Sequence, residues 1–598
     1  MSFEGGGDRL PLRARGFVGD TETAALVAAD GTVDWWCPGR FDADAAFFRL
    51  LDPAGGALRV GPARGGDPRP ALGAQSYDGD SLVLRTMIHA GESTLEVVDL
   101  LPWRGVGHRA EGRLVRVVTA LRGDVDVEVA VAPGRRWRPS REVHAWSEGL
   151  AFDGIVVRGC DMTSGCAGRF SLAPGERAVV TVDAVPEDGA LLADPLSPDR
   201  ALDLVDRTRT AWISRLAPLT YDGPYGASVR RSLLVLLGLT YGPTGTVVAA
   251  PTTSLPERVG GDRNWDYRYA WIRDASLAID ACFDAGLRDE AERFLPWLRD
   301  LCAWADFPLR PFYDVDGGPV EPDERELDLA GWRGSRPVRV GNGAADHLQL
   351  DLYADVVAML HESQLGDPDS KVSEMWPDVV RLGHWLADSW SKPDRGIWEV
   401  RASPRQFVGS KLACWAALDR IARLEAGRNP LSLDAASLRI TAREIVAWLE
   451  RYGLAADGGL RSDPSEADLA DASLLRVAWR NPWPHEPDRA RRTVDRVLRR
   501  LGTGALVHRY DRSFADGLEP GEGAFVPASF WAVEALARLG RWDEAHERME
   551  ALCELSRPLG LLPEEVDPTD RSWLGNLPQA FSHLSLVRAA LALADGPR

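Results

Sequence analysis

Residues 201–216, ALDLVDRTRTAWISRL, mark the place where the hydrophobic period of this chain changes. Upstream, from Phe17 to about Val185, apolar residues alternate with polar ones in short runs: SLVLRTMI (81–88), STLEVVDLL (93–101), RLVRVVTAL (113–121), VDVEVAVAP (125–133) and RAVVTVDAV (177–185). Gly, Asp and Pro turns separate the runs, and period two in short pieces with frequent turns predicts an antiparallel β-sandwich. The 201–216 stretch itself has helical spacing and reads as a linker helix leaving the sandwich.

Downstream of Tyr225 the texture becomes long amphipathic stretches between Gly/Pro-rich loops. Helices are expected near 226–241, 268–286, 288–305, 343–364, 371–390, 408–426, 434–453, 466–479, 487–501, 525–539, 541–557 and 578–594. Helix pairs in such number suggest a closed ring, an (α/α)6 barrel, although periodicity alone does not show closure. The layout is therefore a multidomain β plus α chain: a super-β-sandwich over 1–195, a helical linker over 196–222 and a barrel over 223–598. Two long loops, about 307–342 and 391–407, are rich in Gly, Pro, Asp and Arg, and long ordered loops on rigid scaffolds tend to carry function.

Composition narrows the function. At 598 residues, the chain exceeds what one core fills. Lys plus Arg number 70 against 89 Asp plus Glu, a formal charge of −19 that disfavours nucleic acid as a partner and suits a neutral ligand. The 22 Trp are costly unless buried or used for stacking, and stacking on sugars is one such use. Cysteines at 37, 160, 166, 282, 302, 414 and 553 form an odd, scattered set without a CxxC pair, which fits reduced thiols and a cytoplasmic setting. The start MSFEGGGDRLPLRARGF has no apolar h-region, and no apolar run approaches a membrane span, so no membrane association is expected. Homo-oligomerisation is left open.

The run NWDYRYAWIRD (264–274) concentrates the most suggestive chemistry. If it starts a helix, Tyr267 and Trp271 share one face, with Arg273 and Asp274 beside them. Aromatic faces pack on the apolar side of a pyranose, and a guanidinium and a carboxylate serve its hydroxyls. The same run also reads as an aromatic core helix with one ion pair. PDRGIWEVR (393–401) sets Trp398 beside Glu399 at the start of the next helix, and an indole excludes water from a neighbouring carboxyl, as a general acid requires. LLPEEVDPTD (561–570) supplies Glu564, Glu565 and Asp567, a second acidic cluster. Glycoside hydrolysis needs two carboxyl groups flanking the scissile bond, but these residues alone do not choose between Glu564 and Glu565.

Other chemistries lack their motifs. His361, His485 and His546 each precede a Glu, but none has the second His of a zinc-protease helix. Ser389 to Lys392 forms an SxxK without an SDN or KTG partner, and neither a Walker-A loop nor a GxGxxG opening a βαβ unit occurs.

In order and spacing, GFVGDTETAALVAADGTVDWWCPGRFD (16–42), APTTSLPERVGGDRNWDYRYAWIRDA (250–275), YDVDGG (313–318), RGSRPVRVGNGAADHLQLD (333–351), DRGIWEVR (394–401), GEGAFVPASFW (521–531) and LPEEVDPTDRSWLGNLPQAFSHL (562–584) resemble glycoside hydrolase family 15, the bacterial glucoamylase and trehalase-type family. The resemblance spans nearly the whole chain and implies the same sandwich, linker and (α/α)6 barrel. It implies Glu399 as general acid and Glu564, rather than Glu565, as general base. Arg273 and Asp274 would hold hydroxyls of the terminal glucosyl unit, with Tyr267, Trp271 and Arg509 lining that subsite and Trp398 packing beside the acid. One departure stands out: fungal glucoamylases carry a second acidic residue directly after the acid, whereas this chain has Val400 and then Arg401, so recognition of the departing sugar should differ.

The implied activity is that of an exo-acting, inverting α-glucoside hydrolase releasing β-glucose from short substrates, isomaltose-type or malto-oligosaccharides, with trehalose hydrolysis as the alternative. No cofactor or metal is called for. An inverting phosphorylase would dispense with Glu564, and an inactive sugar-binding protein would lose one of the two carboxyl groups.

Overall fold

The computed structural model describes the chain except residues 1–9, 65–70, 104, 106–111, 164, 186–193, 305–306, 361–370, 465–467 and 597–598. Among the described residues the N-terminal part forms two large antiparallel sheets and a two-stranded pairing of Gly134–Arg135 with Arg138–Pro139. One has six strands and runs, in spatial order, Arg15–Gly19, Ala24–Ala28, Thr32–Trp36, Ala57–Pro62, Val125–Ala132, Ala167–Leu172. The other has eight, with Arg113–Arg122 paired between Ser93–Leu100 and Arg177–Ala184. Val125–Ala132 shows why the pattern works: Val125, Val127, Val129 and Val131 are buried, and the residues between them face outward to varying degrees. Turns follow the sequence signals, as at Asp30–Gly31, where Gly31 has φ +81° and an added Cβ would lie 2.1 Å from the Val60 carbonyl oxygen.

Helix α1 (Pro198–Leu216) leaves the sheets, capped by Ser197, whose side chain accepts the Arg200 N–H. Then come α2 (Gly226–Gly238), α3 (Ile272–Asp284), α4 (Arg288–Trp304), α5 (Leu352–Ala358), α6 (Trp376–Ser389, preceded by a helical turn at Lys371–Glu374), α7 (Val408–Arg428), α8 (Leu433–Tyr452), a 3-10 helix (Ala472–Ala478), α9 (Pro487–Leu501), α10 (Val526–Arg538), α11 (Trp542–Leu555) and α12 (Ala580–Ala594). The sequence expectations differ from these mainly at three places. Helix α3 begins at Ile272 rather than 268, the expected 466–479 helix is a short 3-10 segment, and of the expected 343–364 helix only Leu352–Ala358 is helical, with 361–364 outside the described residues.

Helices α3, α5, α7, the 3-10 helix, α10 and α12 pack in a circuit that returns from α12 to α3. The other helices lie outside it: α4 on α3, α6 and α8 on α7, α9 on the 3-10 helix and α10, α11 on α10 and α12, and α2 on α12. Composition follows position. Every residue of α10 from Val526 to Ala537 is buried, as befits a helix surrounded by protein. Outer helix α9 instead buries a stripe at Ala490, Val494, Val497 and Leu501 and presents most of its arginines outward. No helix among the described residues is long and apolar enough to cross a membrane.

The sheets and helices share one core and meet at the segment that carries the aromatic run. Trp35 donates its indole N–H to the Pro251 carbonyl at 2.8 Å, and Arg268, paired with Asp266, donates to the Ala43 carbonyl at 2.6 Å.

Candidate active site

The aromatic run is extended rather than helical. Asp266 bridges to Thr253, Ala270–Trp271 pairs with Phe312–Tyr313, and α3 starts one residue later. Tyr267 and Trp271 still point the same way, because residues two and four apart share a side in extended chain too. Their rings meet edge to face with centroids 5.4 Å apart. The helix expectation failed because pairing with residues 312–313 outweighs local spacing.

Arg273 and Asp274 open α3. The Arg273 guanidinium donates to Asp274 at 2.8 Å and to the Ile397 carbonyl at 3.2 Å, and lies 5.0 Å from the Phe581 ring centre. Burial alone would favour a neutral Arg273, but Asp274, Glu399 and Asp351 outweigh it and hold the cation. Burial also pushes the Asp274 carboxyl up, against the pull of Arg273.

Glu399 lies on a turn, not at a helix start, since α7 begins only at Val408. Its backbone has φ +54°, a left-handed conformation that costs a non-glycine residue of order 1 kcal/mol and tends to cluster at functional sites. Neighbours pin the turn: the Arg395 N–H donates to the Leu348 carbonyl at 2.9 Å, and the Arg395 guanidinium donates to the Val400 carbonyl at 3.1 Å. The Trp271 indole donates to Glu399 Oε1 at 2.7 Å. Trp398 donates to Asp471 at 2.9 Å and packs against Phe525 and Trp531. Val400 is buried with Phe407, Tyr510 and Phe514, whereas Arg401 pairs with Glu324 at 2.8 Å and covers the Trp265 ring. The carboxylate on this flank of Glu399 thus comes from the 307–342 loop.

Glu564 and Glu565, adjacent in sequence, face different neighbours, as side chains in extended chain alternate. Tyr267 donates to Glu564 Oε1 at 2.6 Å, and the Asn576 N–H donates to Oε2 at 3.2 Å. The approach is close: a Cβ added at Gly575 would lie 2.3 Å from Glu564 Oε2. His583 accepts the Leu562 N–H and Ser582 donates to the Pro563 carbonyl, fixing the two residues before Glu564. Glu564 is 1% exposed, and burial, reinforced by Glu257, raises its carboxyl pKa to about 8. Glu565 accepts the Gly523 N–H at 2.8 Å and is pushed well above the usual range, first by burial and then by Glu257.

Arg509 binds this acidic group together. It donates to both oxygens of Glu522, at 3.1 and 2.6 Å, contacts Glu257, and lies 3.5 Å from Glu565. The carboxylates of Glu257, Glu522 and Glu565 come within 4.8 Å of one another, close enough for a cation, and Arg509 supplies positive charge there itself.

Tyr267, Trp271, Arg273, Asp274, Trp398, Glu399 and Arg509 line one small cleft of about 50 Å³, and Glu564 stands directly behind Tyr267. The eight residues that the resemblance assigns therefore gather at one place, where the N-terminal ends of α3, α10 and α12 meet. Sequence reasoning missed Glu257, Phe525, Gln579 and Phe581. Glu257 falls in the same motif as the aromatic run, but only its contact with Arg509 reveals a role.

Residues 223–552 match the family described as glycosyl hydrolases family 15, and residues 4–159 match a domain described as trehalase-like, N-terminal. The protein is thus a glycoside hydrolase, and the chain belongs to glycosyl hydrolases family 15. A trehalase of Mycolicibacterium smegmatis is 33% identical over 622 aligned positions, covering 97% of this chain and 91% of that protein. A trehalase of Thermoplasma volcanium is 31% identical, covering 98% and 94%. The fold is also that of a bacterial glucoamylase solved with acarbose, with a TM-score of 0.67 at 13% identity over 98% of this chain and 95% of that one.

Proposed function

We propose that the protein hydrolyses α,α-trehalose with inversion at the attacked anomeric carbon. The observation that carries this reading is the near full-length likeness to proteins named trehalase, at 33% and 31% identity. It favours the trehalose alternative over the isomaltose or malto-oligosaccharide reading of the sequence. We assign the architecture as a sandwich over 1–195, a linker over 196–222 and an (α/α)6 barrel over 223–598, on the support of the closed helix circuit.

In this reading Arg273 and Asp274 hold hydroxyls of one glucosyl unit against Tyr267 and Trp271. Glu399 gives its proton to the glycosidic oxygen as the bond to the anomeric carbon breaks. Glu564 takes a proton from a water that attacks the same carbon from the opposite face. The products are one β-glucose from the attacked unit and one α-glucose from the leaving unit. Arg401 and Glu324, beside the acid, are assigned to the leaving glucose.

The test is a hydrolysis screen over trehalose, isomaltose, maltose, kojibiose and soluble starch. Trehalose should give the highest kcat/KM; a clear preference for maltose or isomaltose overturns the assignment.

A further inference from the structure

A second and much larger cavity, about 980 Å³, is bordered by helices of the circuit. Three helices border both spaces: α3 gives Asp274 to the catalytic cleft and Leu277, Asp280 and Asp284 to the cavity, α10 follows Phe525 with Trp531 and Glu534, and α12 follows Phe581 with Leu584 and Arg588. The cavity thus runs from about one turn beyond the cleft toward the C-terminal ends of these helices, shares no lining residue with the cleft, and has a volume within the range of small-molecule sites.

The charges facing this cavity fall into two groups. Most are neutralised in place: Arg476 and Arg480 hold Asp355, Arg588 holds Asp280 and Glu534, and Arg423 holds Asp419. Arg439 and Arg443 are different. They stand one turn apart on α8, both exposed and both lining the cavity, and neither has an acidic partner among the described residues. Like charges at that spacing repel, and no ion pair among the described residues offsets them, although the protein as a whole is strongly acidic. Two tryptophans complete the lining. Trp415 on α7 and Trp479 after the 3-10 helix are half-buried, and neither indole has a hydrogen-bond or ring partner among the described residues. Trp271 and Trp398 in the catalytic cleft, by contrast, both donate to carboxylates.

Two uncompensated guanidinium groups and two unused indoles around one solvent-open space define a ligand with both an anionic group and a sugar-like apolar face. We propose that this cavity is a second binding site, for a phosphorylated sugar. The phosphate sits between Arg439 and Arg443, and the sugar ring lies against the indoles. The ligand differs in charge from the neutral substrate of the catalytic cleft, so the two sites do not compete.

Isothermal titration of the full-length protein with glucose 6-phosphate, in the presence of saturating glucose to fill the catalytic cleft, tests this. One equivalent should bind. The double variant Arg439→Ala/Arg443→Ala should bind at least tenfold more weakly, with unchanged hydrolysis in the absence of the phosphate ester. Trp415→Leu, checked for an unchanged thermal melt, should also weaken binding, and inorganic phosphate should bind more weakly than the sugar phosphate. Absence of binding, displacement by glucose, or unchanged affinity in the arginine double variant overturns the proposal. Inorganic phosphate binding as tightly as glucose 6-phosphate removes the indoles from the site and overturns it as well. The hydrolysis screen reads the catalytic assignment separately, so either reading can fail without the other.

Discussion

Tyr267 donates its hydroxyl proton to Glu564 Oε1 at 2.6 Å, tying the aromatic run to a carboxyl 297 positions later in the chain. Four residues on, Trp271 does the same for Glu399. One extended segment thus orients both of the carboxyl groups assigned to catalysis.

The Tyr267 hydrogen bond favours the ionised form of Glu564 and opposes the burial that raises its pKa to about 8. Tyr267→Phe should therefore raise that pKa further and move the acid limb of the kcat/KM profile to higher pH, by about one unit for a bond of ordinary strength to a charged group. A pH–rate series on wild type and variant checks this, and an acid limb that stays in place shows that Glu564 is not the group titrating there.

Glu564→Gln should abolish hydrolysis and yet stabilise the fold. The folded carboxyl has a pKa of about 8 against an ordinary 4.5, so ionising it is harder in the folded state than in the unfolded one. Its favourable contribution is fully present below pH 4.5 and is lost as pH rises through 8. The neutral amide escapes that loss. The variant should melt above wild type at pH 9, by up to a few kcal/mol in stability, with the gap closing toward pH 5. Thermal melts across that range decide it; a variant that is less stable at pH 9 contradicts the burial argument.

Glu399→Gln should lower kcat on trehalose by roughly 10²–10⁴, the usual contribution of a general acid. An aryl α-glucoside with a good leaving group needs little protonation, so its hydrolysis should suffer much less. Equal losses on both substrates would mean that Glu399 acts in some way other than protonation.

The anomers released first from trehalose report the stereochemistry directly. Inversion at one carbon gives β-glucose and α-glucose in equal amounts, and retention gives α-glucose alone. NMR recorded before mutarotation distinguishes the two, and α-glucose alone would falsify both glutamate assignments.

Local patterning made much of this protein legible in its sequence. Alternation in VDVEVAVA set the faces of a strand, and the apolar stripe of residues 487–501 set a helix whose ends match those observed, because both depend on which side of an element meets water. The candidate residues were legible too, since aromatic, guanidinium and carboxyl groups in NWDYRYAWIRD and IWEVR announce their chemistry by type.

Tertiary structure decided what depends on partners far along the chain. Pairing with residues 312–313 made the aromatic run extended, and a turn pinned by Leu348 and Arg273 gave Glu399 its left-handed backbone. Residue type alone did not choose between Glu564 and Glu565; the resemblance favoured Glu564, and strand alternation with the close approach of Gly575 is what turns Glu564 toward Tyr267. The raised pKa of Glu564 likewise arises from burial and from Glu257, over three hundred residues upstream. Hydrophobic period and residue type are properties of a short window and survive in the sequence. Charge, solvent exclusion and hydrogen-bond geometry at a site are sums over neighbours that only folding brings together.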